Sequence, residues 1–102
     1  MDLTVVLETE KGEAVEKLLD PTNVLHRILP PMGDSNYQCL SYIDWYGDTV
    51  FNYLQADQFL KEWTALAHQI GTPVEEPIFE GIKKLALHLQ RERHLYLKFY
   101  RD

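Results

Sequence analysis

The run His94-Leu95-Tyr96-Leu97-Lys98-Phe99-Tyr100 alternates apolar and polar side chains. Leu95, Leu97 and Phe99 fall on one side of an extended chain, and Tyr96, Lys98 and Tyr100 on the other. Such a strand belongs to a sheet with one face covered and the other open.

Upstream, the period changes to that of helices. Phe59, Leu60, Trp63, Leu66, Ala67 and Ile70 form one apolar stripe. Asp57 suits the first turn of that helix and Gly71 its C′ position. Trp63 is expected to pack between helix and sheet. A second stripe, Ile78, Ile82, Leu85, Ala86 and Leu89, starts near Thr72-Pro73 or near Pro77 and ends at Arg91 and Arg93.

Tyr37–Ile43 and Thr49–Asn52 read as two short strands joined by a turn, with Gly47 expected at positive φ. Asp20-Pro21 reads as N-cap and first residue of a short helix carrying Val24, Leu25, Ile28 and Leu29, stopped by Pro30-Pro31. Leu3–Glu8 and Ala14–Leu19 flank a turn at Gly12, which favours a hairpin, although Ala14, Leu18 and Leu19 also suit a helix. The resulting order is β-β-α-β-β-α-α-β. This is an α+β fold, a mostly antiparallel sheet with helices packed on one face, in a single domain over residues 1–102.

Composition narrows the function classes. Sixteen acidic residues against ten basic ones give a formal charge of −6. That balance opposes nucleic acid and anionic membrane surfaces and permits a basic protein partner. No apolar run approaches the length of a membrane span. The N-terminal residues lack the basic and apolar regions of a signal peptide. The lone Cys39 lies in an apolar run and reads as a buried thiol, consistent with a reducing, cytoplasmic setting.

Asp44, Trp45, Tyr46 and Asp48 are the first binding candidates, with contact area from the aromatics and charge from the carboxylates. A calcium loop fails on spacing, because Tyr46, Thr49 and Gln55 stand where a ligand, a glycine and an acid are needed. Local Asp-to-backbone bonding in a turn is the plainer reading. His94 and Tyr96 are the second candidates. His94 near Asp44 or Asp48 would make a general base, while a histidine at a helix C-terminus needs no such role. No histidine pair has metal-ligand spacing, and no phosphate loop or nucleophile elbow is present, so neither metal nor cofactor is expected.

The runs Asp20-Pro21-Thr22-Asn23, Leu25-His26-Arg27, Tyr42-Ile43-Asp44, Tyr46–Asn52, Leu54-Gln55, Glu62-Trp63 and His94–Phe99 together resemble a family of short bacterial proteins of unassigned function. In that pattern position 45 is often proline and the chain often ends in Gly-Asp; here Trp45 and Arg101-Asp102 stand instead. The resemblance implies a bacterial, cytoplasmic, single-domain protein and no particular reaction.

Three readings follow. The first is a non-enzymatic protein-binding module, in its most concrete form an immunity-like or antitoxin-like inhibitor whose acidic face covers a basic site. The second is a small enzyme or ligand-binding domain in which Asp44, Asp48, His94 and Tyr96 converge. The third is a subunit that self-associates, as a homodimer, through aromatic edges such as Tyr96 and Tyr100.

Overall fold

The computed structural model describes residues 3–44 and 46–101. Four strands form one antiparallel sheet: β1 (Leu3–Thr9), β2 (Ala14–Leu19), β3 (Thr49–Asn52) and β4 (Leu95–Arg101). Their spatial order is β2-β1-β4-β3. The first and last strands pair along their whole length, from Leu3 opposite Arg101 to Thr9 opposite Leu95. Three helices, α1 (Leu25–Ile28), α2 (Ala56–Ala65) and α3 (Glu75–Arg91), complete the α+β fold on one face of the sheet.

Alternation decides which face is covered. Leu3, Val5 and Leu7 of β1, Phe51 of β3, and Leu95, Leu97 and Phe99 of β4 are all buried under the helices. The expected alternation of β4 is therefore present in full. An aromatic column links the layers. Phe99 meets Phe51 edge-on at 5.9 Å, and Phe51 meets Phe59 of α2 at 5.2 Å. Trp63 stacks on Phe79 of α3 at 5.2 Å, and its indole N–H donates to the Phe79 carbonyl at 3.0 Å. Trp63 thus packs between the two long helices, and Phe59 takes the sheet-facing place. Gly81 brings α3 close to β2, since a Cβ there would stand 3.0 Å from Leu18.

The β1–β2 hairpin forms as expected, with Gly12 at φ 83°. A bulge beside Leu7 and Glu8 leaves Val15 outside the register.

Four expectations change. Tyr37–Ile43 is not a strand; the chain coils there and includes a 3₁₀ turn at Leu40–Tyr42. The cause is Glu62, whose buried carboxylate accepts the N–H groups of Gln38, Cys39 and Leu40 at 2.9–3.1 Å. A strand would point successive N–H groups to opposite sides; a shared acceptor gathers them on one. The helix after Asp20 starts later than expected, at Leu25, because Asn23 takes φ 56° and interrupts the path. Asp20 still caps it, with its two oxygens accepting from Val24 and Leu25 at 2.8 Å each. The α2 helix ends at Ala65 and tightens into a 3₁₀ turn over Leu66–Gln69, so Gly71 is not its C′ residue. The Gly71 N–H instead donates to Glu75, at the start of α3. Finally, Gly47 does not have positive φ. It provides space, because a Cβ would lie 3.0 Å from an Asp44 carboxylate oxygen.

Candidate functional site

Asp44 and residues 46–48 lie between the 3₁₀ segment and β3, with a turn at Tyr46. The Asp44 N–H donates to Thr49 Oγ1 at 2.8 Å, and the Tyr46 N–H donates to Asp44 Oδ1 at 2.8 Å. The end of β4 clasps the same turn. The Arg101 N–H donates to Asp48 Oδ1 at 3.3 Å, and Arg101 Nη1 donates to the Tyr46 carbonyl at 3.0 Å. Neither carboxylate pairs with a cationic side chain among the described residues. Trp45 lies outside the described residues.

The strand register separates the other candidates from this turn. Thr49 lies opposite Phe99 and Asn52 opposite Tyr96, so β3 runs away from Asp48 toward the start of β4. His94 precedes that start, seven residues from Arg101, which at about 3.3 Å per residue is roughly 20 Å from the Asp48 end. There His94 Nδ1 lies 3.0 Å from Glu10 Oε1, an exposed contact with the β1–β2 turn. Tyr96 stands between them, opposite Asn52 on one side and Glu8 on the other. The expected convergence of Asp44, Asp48 and His94 on one pocket does not occur. A general-base role for His94 toward those carboxylates is corrected accordingly.

The structure adds residues that motif spacing missed. Beside the expected candidate Tyr46, itself 70% exposed, these are Val50 of β3 and Leu54, which are 47 and 83% exposed. Val50 could have been found from its alternation with buried Phe51; Leu54 carries no such signal, since it lies in a 3₁₀ turn. The edge strand itself is blunted. Asn52 and Gln55 form a capping box, in which the Asn52 N–H donates to Gln55 Oε1 and the Leu54 N–H to Asn52 Oδ1. With four residues and one outward N–H already taken, β3 presents side chains rather than a template for strand addition.

The open face of the sheet carries a compact polar network. Glu8 is buried between β2 and β4 and accepts from Lys98 at 2.9 Å and from the Tyr100 hydroxyl. Burial works to raise the Glu8 carboxyl, but hydrogen bonds from Tyr100 and Lys98 outweigh it and hold the group below its ordinary 4.5. The hydrogen bond to Glu8 in turn raises both Lys98 and Tyr100.

Cys39 is buried, and burial together with the Glu62 charge pushes its thiol up to about 11, so it is held as an unreactive thiol. Among the described residues, no group of three or more histidine, cysteine or acidic side chains could hold a metal ion, and no helix is long and apolar enough to cross a membrane. Comparison with protein-family models, with curated proteins and with solved structures finds no match for this chain.

Proposed function

We propose that this chain is a non-enzymatic protein-binding module that engages a basic partner through the surface around β3. One observation carries the reading. Tyr46, Val50 and Leu54 are exposed along one edge of the sheet, beside the carboxylates of Asp44 and Asp48, which pair with no cationic side chain among the described residues. Apolar contact area rimmed by charge is the composition of a binding surface. The net charge of −6 supports a partner of opposite sign, whose approach it would steer. An immunity-like or antitoxin-like inhibitor is the most concrete form of such a module. The resemblance to short bacterial proteins supports a bacterial, cytoplasmic setting.

The test is affinity capture from the source organism at low and moderate salt, comparing the native chain with Leu54→Asp and Val50→Asp. The expected result is a basic protein that binds the native chain, weakens with salt and is lost with either variant. Its purified form should then rebind the purified chain. Recovery of the chain alone at both salt levels would count against the proposal, as would a partner that ignores both substitutions.

A further inference from the structure

A cleft of about 420 Å³ lies between the 3₁₀ turn after β3 and the corner joining α3 to β4, lined by Asn52, Tyr53, Leu54, Arg93 and Tyr96. In a chain with sixteen acidic residues, this lining contains no carboxylate. Arg93 makes no ion pair among the described residues. Its guanidinium instead lies over the Tyr53 ring, 5.8 Å from the centroid. The Arg93 N–H groups make no hydrogen bond among the described residues, so the guanidinium fork is free for a planar anion. The Tyr53 and Tyr96 hydroxyls make no hydrogen bond within the described structure, so both are free to donate.

We infer that this cleft binds a small carboxylate attached to an aromatic body. The carboxylate would take the Arg93 fork, and the body would lie against Tyr53, Tyr96 and the exposed Leu54. The apolar body is required by magnitude. An exposed arginine–carboxylate pair alone contributes too little to hold a ligand, whereas stacking and burial of a ring add the larger share. The cleft falls within the size range of small-molecule sites. The cleft shares Leu54 with the proposed partner surface, but its test needs only the isolated chain.

Phenylacetate is the probe, titrated into the full chain and followed by ¹H–¹⁵N correlation spectra. Saturable shifts are expected at Tyr53, Arg93 and Tyr96, with a dissociation constant of about 1 mM. Arg93→Gln should weaken binding roughly tenfold, as loss of a charged hydrogen-bond donor implies, while the rest of its spectrum stays native. Arg93→Lys, which keeps the charge without the fork, should fall between. The neutral isostere phenylacetamide should bind far more weakly, and so should inorganic phosphate, which lacks the ring. Absence of saturation, equal affinity in Arg93→Gln, or equal binding of phenylacetamide or phosphate would each overturn the inference. Partner capture is unaffected by any of these outcomes, so the two readings fail separately.

Discussion

Glu62 occupies α2 three residues after Phe59 and four before Leu66, inside the apolar stripe of that helix. A carboxylate at such a position is costly unless its oxygens are fully used. Here three backbone N–H groups and the Gln58 amide use them. The signal was present in the sequence as a charged residue at a stripe position, with Gln58 one turn before it, but its three backbone partners lie 22 to 24 residues away and no spacing rule finds them. Glu62→Ala leaves buried donors unpaired and should lower stability by about 3 kcal/mol or more. Glu62→Gln keeps one acceptor oxygen and should cost less. Urea unfolding followed by circular dichroism measures both. A loss within about 0.5 kcal/mol for Glu62→Ala, the range of ordinary surface changes, would remove Glu62 from its organising role. Glu8 makes a second residue-scale prediction, in pH. Its folded carboxyl lies below the ordinary 4.5, so between those values the unfolded state binds more protons. Its stabilisation is therefore present above 4.5 and is lost as pH falls through the folded value. Lys98 and Tyr100 are raised from 10.5 and 10.0, so their share is present below those values and lost as pH rises beyond them. Unfolding free energies across pH should show both limbs, and Glu8→Gln should flatten the acid one.

At the scale of elements, legibility followed periodicity. The strand β4 and the helices α2 and α3 bury one face each, and a buried face writes its period into the sequence; β1 buries residues on both faces and was legible instead as a β-branched, apolar run. Even there, Phe79 of α3 escaped the expected stripe of Ile78, Ile82, Leu85, Ala86 and Leu89, since it sits beside partly buried Ile78. The segment from Tyr37 to Ile43 was misread for the opposite reason. Cys39, Leu40 and Ile43 are buried, but a short apolar run does not say whether it is extended or coiled. The α1 helix shows how a distant or upstream acceptor settles such cases. Four residues cannot sustain a helix alone, and Asp20 supplies both acceptors for its opening N–H groups. Asp20→Ala should destabilise the protein by about 2 kcal/mol, near the upper end for a lost cap. Asp20→Asn, retaining one oxygen acceptor, should recover part of it. Native-state hydrogen exchange gives the discriminating measurement: protection should fall first at Val24, Leu25 and Leu29. Unchanged protection there would show that packing of Leu25 and Ile28, rather than the cap, holds the helix.

At the scale of the whole molecule, the candidate site is decided by topology. Exposed Val50 and Leu54 were not visible as chemistry in the sequence; the carboxylates of the turn, Tyr96 of β4 and His94 just before it were. Their grouping was not, because it depends on β4 inserting between β1 and β3 in one antiparallel register. That register assigns Asp48 to the turn clasped by Arg101, and His94 to the far end beside Glu10. Residues separated by roughly 20 Å along a strand, with no shared partner, should act additively. In a double-mutant cycle, Asp48→Ala and His94→Ala should therefore show a coupling below about 0.5 kcal/mol in unfolding free energy. A coupling of about 1 kcal/mol or more between Asp48 and His94 would mean that the two ends communicate. It would restore the single convergent site that the strand register separates.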